Sequence, residues 1–484
     1  METFGIDFGT TNSGAAGFQR GVLRCFGHDA GQPLSSVVAI NRLTGQLQAI
    51  GREAHDRQEE LREHCEVISS VKSFLGDDSR HWIIGPETWT PERITTEILM
   101  ELRRNVTAAL QAGQEFDTAV FTIPVGFNAR KRQALRRAAL AAGIHVKSFI
   151  PEPTAAVSRH FRAMRKWPTV VVFDWGGGTL DISVVRIERQ HLHEIATFGV
   201  PLGGDNLDQK LALYVHDCIA KERNIETPFE AVDARSRDRL KERVEAAKRR
   251  LSNEEEVTIG MNLYHGLHNV TCLLTATTLR DLLQREYKQA WDALSTTVQQ
   301  RARTSFSEVG CVLMVGGSSK LRGLQDYFYE QGVRNIEAPP DAEWNIAQGA
   351  AILAGTPGQH VIAQDLGLSV CDGSYFPLLR AGDVVDHLAK ERHFGLVEDA
   401  REARFVFVQP QTQGRLEDDH FGYDTIGYLS VPAYGFSDEP ISLRTNVSED
   451  LIVEIEGGST NRSQTSKTNW SYEKLKFRYL IPEE

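Results

Sequence analysis

Two short stretches of this chain place the same residue types in the same order. Residues 5–14 read GIDFGTTNSG and residues 172–183 read VFDWGGGTLDIS. In each, an aspartate ends an apolar run and is followed by glycines and a hydroxyl residue. Glycine turns let backbone N–H groups approach phosphate oxygens, and a neighbouring hydroxyl adds a donor. An aspartate cannot bind phosphate itself, because like charges repel. Its chemistry is to hold Mg²⁺ through water, since Mg²⁺ takes one or two carboxylates together with waters and phosphates. Asp7 with Gly9, Thr10 and Thr11 fits that role, and so does Asp174 with Gly176, Gly177, Gly178 and Thr179. Two copies at strand ends predict two related lobes that clamp one nucleotide from either side.

Two further glycine turns precede helical periodicity: PLGGDNLD at 201–208 and MVGGSSKL at 314–321. The segment LKERVEAAKRRLS at 240–252 carries two stripes. Leu240, Val244, Ala247 and Leu251 repeat at helical spacing and form the face turned to a core. Glu245, Lys248, Arg249 and Ser252 form the second stripe, and two readings of it stand side by side. One is a solvated face with an i,i+3 Glu–Lys pair. The other is an adenosine site, with carboxylate and ammonium for ribose hydroxyls, serine for a ring nitrogen and guanidinium stacked on the base.

The elements that must position these residues are legible as runs. TFGIDFG, AVFTIPV (119–125), TVVVFDW (169–175) and CVLMVGG (311–317) read as buried strands. Helical periodicity falls at 91–112, 129–142, 205–223, 229–252 and 278–303. Alternating strands and helices predict α/β layers around a mixed or parallel sheet. At 355–365, GTPGQHVIAQD reads as a linker around a short extended piece. Beyond it, RFVFVQP, IGYLSVPA, ISLRTNV and LIVEIEG are short β-type runs, DVVDHLAKER is the one helical candidate, and 457–469 reads as a flexible loop or hairpin connection.

Composition narrows the class. With 484 residues, 41% of them hydrophobic and 25% charged, the chain has room for several globular units. A formal net charge of −11 speaks against nucleic acid or an anionic membrane as the main partner. Residues 367–484 carry 12 Lys/Arg against 20 Asp/Glu, so most of that charge sits at the C-terminal end. The six cysteines are scattered without metal-ligand spacing and are expected to be reduced, buried thiols. No secretion pattern opens the chain and no apolar run nears the ~20 residues of a transmembrane helix, so a cytoplasmic location is expected.

Taken together and in this order, these motifs resemble the 70-kilodalton heat-shock chaperone family, within the actin-like ATPase superfold. The matching pieces are GIDFGTTNSG, SVKSFLG (70–76), VFTIPVGFNARKRQAL (120–135), PEPTAAV (151–157), FDWGGGTLDIS, LGGDNLD, AAKRRLS, LMVGGSSKL and QGAAILAG (348–355). The resemblance implies a two-lobed, actin-like (ribonuclease-H-like) α/β ATPase domain over 1–355, with lobes at about 1–165 plus 340–355 and at 166–339. It implies a linker at 356–365 and a small β-sandwich-like domain at 366–484 that binds substrate or partner. In the cleft it implies ATP or ADP with Mg²⁺, organised through water by Asp7 and Asp174. Thr10 and Thr11, with Asn12 beside them, touch the β- and γ-phosphates. Lys72 positions the attacking water, Glu152 assists at the metal–water cluster, and Thr179 contacts the γ-phosphate. Gly176, Gly177, Gly178, Gly203, Gly204, Gly316, Gly317 and Ser318 line the phosphate path. Glu245, Lys248, Arg249 and Ser252 take the adenosine. Pro124, Arg132 and Asp365 match a relay between cleft and linker.

The chain also departs from the family. The linker VIAQD has Ala363 and Gln364 where leucines are usual, which bears on coupling between the domains. The stretch 339–349 is altered, so that Asp341 or Glu343 supplies a third acidic residue. After the linker there is room for a β domain but no long helical lid, which marks a short, divergent, bacterial-type member. The function this implies is an ATP-driven chaperone whose β domain grips unfolded or extended polypeptide, with J-domain and nucleotide-exchange cochaperones as possible helpers. A nucleotide-switched scaffold with one dedicated partner is the second reading, and an actin-like filament protein the third.

Overall fold

The computed structural model describes residues 4–27, 31–110, 115–125, 127–189, 191–224, 226–355, 359–362, 365–385, 390–397, 400–410, 422–436, 438–448, 452–459, 465–470 and 477–480. The chain divides into two compact units. The first comprises residues 1–125, 134–189 and 194–356; the second comprises 126–133, 190–193 and 357–484.

The first unit is built on two sheets with one local plan. In one, strand Phe4–Phe8 pairs antiparallel with Asn12–Gln19 and parallel with Thr118–Ile123, which in turn pairs parallel with His145–Pro151. In the other, Thr169–Trp175 pairs antiparallel with Leu180–Glu188 and parallel with Cys311–Val315. The strand continues into this sheet order through His191–Val200, whose residues from 194 onward belong to this unit. The central strands are apolar on both faces because helices cover both sides, the usual reason for continuous rather than alternating hydrophobic runs. Val170, Val171, Phe173 and Trp175 are buried, as are all five residues of Cys311–Val315. In each sheet the aspartate is the next-to-last residue of the first hairpin strand: Asp7 opposite Gly14, and Asp174 opposite Asp181.

Helix Asn345–Gly355 packs on the first sheet and against helix Glu152–Arg159. Its Gly349 has no room for a side chain, since a Cβ would lie 1.9 Å from the Ala155 carbonyl oxygen. Helices Gly204–Arg223 and Ala234–Leu251 share the large core of the second sheet, to which Leu207, Leu211, Val215, Leu240, Val244 and Leu251 contribute. Asp233 caps the second of these by accepting from the Ser236 amide at 2.9 Å.

The helices differ in places from their sequence-based bounds. The stretch 229–252 is a short 3₁₀ turn at Phe229–Ala231 followed by helix Ala234–Leu251. The single helix predicted over 278–303 is three pieces, Ala276–Leu282, Gln284–Ser295 and a π-type turn Thr296–Arg301. It breaks where Leu283 leaves helical geometry, at φ −95 and ψ 8. Cys371 is exposed and Cys25 and Cys218 are partly so, against the expectation of uniformly buried thiols.

The second unit holds two four-stranded sheets, built on Leu366–Ser369, Tyr375–Leu379, Glu402–Pro410 and Tyr423–Pro432 in one and on Lys390–Phe394, Ile441–Val447, Val453–Ser459 and Thr465–Trp470 in the other. One apolar core draws on both, with Leu368, Phe407 and Val431 from the first and Leu443, Val453 and Ile455 from the second. The helical candidate DVVDHLAKER is corrected: Lys390–Phe394 is a strand, registered against Ile441–Thr445, and 386–389 lie outside the described residues. Pairing across the sheet overrides a weak helical pattern too short to bury a face of its own. Residues 457–459 and 465–469 lie in adjacent antiparallel strands, so the loop-or-hairpin segment resolves as a hairpin. Gln359–Ile362 pairs antiparallel with Phe477–Leu480, with Val361 and Ile362 buried; Ala363 and Gln364 lie outside the described residues.

Candidate nucleotide site

The two hairpins of the first unit open into one cleft of about 420 Å³. It is lined by Asp7, Gly9, Thr10, Thr11 and Asn12 from the first turn and by Asp174, Gly176, Gly177, Gly178 and Thr179 from the second. The turns meet directly. A Cβ on Gly177 would lie 2.5 Å from Thr11 Cγ2, and one on Gly178 would lie 2.6 Å from Thr11 Oγ1. A larger residue at either position would have to displace the Thr11 side chain. Lys72, Pro124, Glu152, Gly204, Glu245, Lys248, Arg249, Ser252, Gly316, Gly317 and Ser318 also line the cleft. Gly203 is placed behind it, buried against the second turn, where a Cβ would fall 2.1 Å from the Gly177 carbonyl oxygen. The Gly204 and Asp205 amides donate to Gly176 and Gly177 carbonyls at 3.0 and 2.8 Å, and Ser318 Oγ donates to Gly176 O at 2.9 Å.

The electrostatics centre on a lysine that, taken as a lone residue, would read as a surface one. Lys72 is 4% exposed and its Nζ lies 2.6 Å from Glu152 Oε1. Around this pair stand three more carboxylates, Asp7, Asp174 and Asp181. Burial, then the Glu152 charge, pushes Asp7 up to about 7, against the opposing pull of Lys72 and a 3.3 Å hydrogen bond from Thr122 Oγ1. Burial, Glu152, Asp181 and Asp7 together hold Asp174 well above the usual carboxylate range. Asp181 is also raised, by burial first, although Thr179 Oγ1 donates to it at 2.8 Å. Four acids facing one ammonium leave an excess of negative charge that these neighbours do not neutralise. A divalent cation would do so, and a hard, oxygen-rich donor set suits Mg²⁺. The residues present therefore fit the metal.

The two stripes of helix Ala234–Leu251 separate as the periodicity requires, and the Glu245–Lys248 pair of the solvated-face reading is not the one formed. Lys248 Nζ reaches Asp208 Oδ2 at 2.7 Å and the Gly204 carbonyl at 3.3 Å, while Arg249 pairs with Glu245 at 2.7 Å. Lys248 is 8% exposed, so the reading of a solvated face fails at this position. Of the two alternatives for the third acid, Glu343 lines the cleft and pairs with Lys320 at 3.2 Å, whereas Asp341 faces Arg159 at 4.0 Å. The relay residues expected from the resemblance fall in both units. Pro124 is in the first unit, and Arg132 and Asp365 are in the second. There the Arg132 guanidinium donates to the Phe127 carbonyl and Asp365 accepts from the Ala381 amide at 2.7 Å.

Several cleft residues escaped the sequence reading. Asp181 had a signal, since it stands two positions after Thr179 where a strand begins and i,i+2 residues share a face. Asp205 and Asp208 stand inside PLGGDNLD, of which only the glycines are read as site residues; His55 and Asp56 had no signal, because nothing in their spacing connects them with Glu245. His55, Asp56 and Glu245 bring one ligand-type atom each within 4.8 Å of one another. The mouth is also bridged from helix to helix, where the Asp238 carboxylate accepts the Glu59 and Glu60 amides at 3.0 and 2.8 Å and Lys241 pairs with Glu59 at 2.7 Å.

Comparison with known families decides the kinship. The family model described as Hsp70 protein matches residues 80–372, more than half of the chain. The chain belongs to the Hsp70 family. Among curated relatives, the chaperone protein DnaK of Halobacterium salinarum (strain ATCC 29341 / DSM 671 / R1) is 26% identical over 471 residues, a match that covers 93% of this chain and 72% of that protein. The chaperone protein DnaK of Mycoplasma mycoides subsp. mycoides SC is 32% identical over 363 residues, covering 72% of this chain and 58% of that protein. Within this Hsp70 chain, the matched span includes Glu152, both glycine turns of the second sheet and residues 245–252; Asp7 and Lys72 lie ahead of it. Among the described residues, no helix is long and apolar enough to cross a membrane.

Proposed function

We propose that this chain is an Mg²⁺-dependent ATPase of the chaperone type, in which the nucleotide state of the cleft sets the affinity of residues 366–484, read as a β-sandwich, for extended polypeptide. The observation that carries the reading is the buried Lys72–Glu152 pair set between Asp7 and Asp174, one from each hairpin turn. Asp7 and Asp174 would hold Mg²⁺ through water, and the bound metal would offset phosphate charge. Thr10, Thr11 and the glycine amides of both turns bind and orient the phosphates. Lys72, whose ammonium has three N–H donors and gives one to Glu152, orients the attacking water beside the terminal phosphate. Positioning and charge stabilisation are most of what phosphoryl transfer requires of a protein. Glu152 and Asp181 stand as acceptors for the water's proton. Glu245, Lys248, Arg249 and Ser252 bind the nucleoside end. The cytoplasm, where ATP and Mg²⁺ are abundant, suits this chemistry.

The test is ATP turnover by the full chain with and without unfolded model peptides. Turnover that depends on Mg²⁺ and rises with peptide, together with ATP-accelerated peptide release, is the expected result. Turnover that ignores every peptide while one native protein is captured tightly would replace the chaperone reading with the dedicated-partner scaffold. No turnover and no ATP binding would remove both.

A further inference from the structure

Behind the Lys72–Glu152 pair lies a second buried acid that the chemistry above does not use. Glu194 is 8% exposed and stands on strand His191–Val200. Among the described residues no ion pair holds it. Its partner is Thr154, fully buried, whose Oγ1 donates to Glu194 Oε1. A carboxyl in this position is costly to bury unless hydrogen-bonded, and Asp or Glu is seldom buried without a partner. Burial pushes it up to about 7, with the Thr154 hydroxyl opposing.

Thr154 is the third residue of helix Glu152–Arg159, whose first residue is Glu152 itself. The helix starts at Pro151 with no side-chain cap, so its first turn lacks the usual local anchor. On one side it is fixed by the close approach of Gly349 to Ala155 O. Glu194, which belongs to the other sheet, supplies an anchor at the end that carries Glu152.

We propose that Glu194 is a positioning residue for the Lys72–Glu152 pair, acting through the Thr154 hydroxyl to fix the first turn of the helix that presents Glu152. The inference rests on the reading of the cleft as an ATPase site. A misplaced Glu152 would shift the Lys72 ammonium it accepts from relative to the water, and small displacements of a positioned group are felt strongly in rate. The bond also ties a residue following the first sheet to a strand of the second, so the catalytic pair senses how the two halves of the unit meet.

Four substitutions in the full-length chain test this: Glu194→Leu and Thr154→Val remove acceptor and donor, while Glu194→Gln and Thr154→Ser keep them. ATP binding within threefold of wild type, with single-turnover hydrolysis slowed at least tenfold in the first two and restored to within threefold in the last two, is expected. Thr154→Val replaces only a hydroxyl by a methyl and serves where Glu194→Leu fails to fold. An unchanged rate in Thr154→Val, a rate loss matched by lost ATP binding, or a Glu194→Gln variant as slow as Glu194→Leu overturns the proposal. If the wild-type chain hydrolyses no ATP, the ATPase reading fails separately, and amide exchange of residues 154–157 without nucleotide decides this one. Exchange at least tenfold faster in Thr154→Val and normal in Thr154→Ser upholds the anchor; equal exchange in all variants overturns it.

Discussion

At the scale of single residues, the Lys72 ammonium is set against four carboxylates, Asp7, Glu152, Asp174 and Asp181. Lys72→Ala would keep the glycine turns and the nucleoside-binding side, so ATP should still bind. Removing one positioned charge of this kind commonly costs on the order of 10²–10³ in rate. We expect that loss in single-turnover hydrolysis with ATP affinity little changed, and near-normal hydrolysis would refute the role. Asp7 makes a second expectation. In the folded chain it keeps its proton up to about 7, whereas its ordinary value is 3.8. Between those values the folded state binds more protons than the unfolded one, so stability falls as pH rises and levels off above about 7. Asp174 is shifted in the same direction and adds to the slope. Without Mg²⁺, denaturant unfolding from pH 4 to pH 8 should show this decline, and Asp7→Asn should flatten it.

At the scale of elements, the hairpin turns work because backbones touch. Gly203 opens helix Gly204–Arg223 directly behind the Gly176–Gly178 turn, and a methyl there would meet a carbonyl oxygen at 2.1 Å. Backbone cannot yield as a side-chain tip does, so the phosphate turn must shift. Overpacking of this sort costs about 1–3 kcal/mol. Gly203→Ala should therefore weaken ADP binding by roughly tenfold, 1.4 kcal/mol being a factor of ten, while far-ultraviolet circular dichroism stays the same. Binding at wild-type strength would show that the turn adapts. The helix Ala234–Leu251 illustrates the same logic on a larger face. Its apolar stripe enters the core, and that placement alone turns Lys248 inward to Asp208 rather than out to water.

At the scale of the molecule, the repeated hairpin plan gives each half of the first unit one acid and one phosphate turn. Ligand binding is then coupled to how the halves meet, and a ligand held by both stabilises the unit as a whole. At a hundredfold excess over its dissociation constant a nucleotide should add about 2.7 kcal/mol. We expect Mg-ADP to raise the calorimetric transition of the first unit by a few degrees. The same ADP without Mg²⁺ should raise it less, and the Asp7→Asn, Asp174→Asn double variant should lose the difference. A shift indifferent to Mg²⁺ in the wild-type chain would count against a metal organised by these two residues.

The sequence by itself determined much of this. Asp7 and Asp174 and the glycine turns are legible because local chemistry requires particular residue types at short spacings, whereas the polar stripe at 245–252 reads two ways from its residues and is assigned only through the family resemblance. The central strands are legible because burial on both faces writes continuous apolar runs. Tertiary structure decided the rest. Lys72 taken singly reads as a surface lysine and is placed in the cleft only by its motif; its partner 80 positions away, at 2.6 Å, comes from the fold. His55 and Glu194 carry no local pattern, since their meaning comes from what folds against them. Lys390–Phe394 reads weakly as helix and becomes a strand because Ile441–Val447 offers it a ladder of hydrogen bonds. Short-range spacing fixes which groups are available; only the packing of distant segments decides which charges are buried together and how far each is driven from its ordinary state.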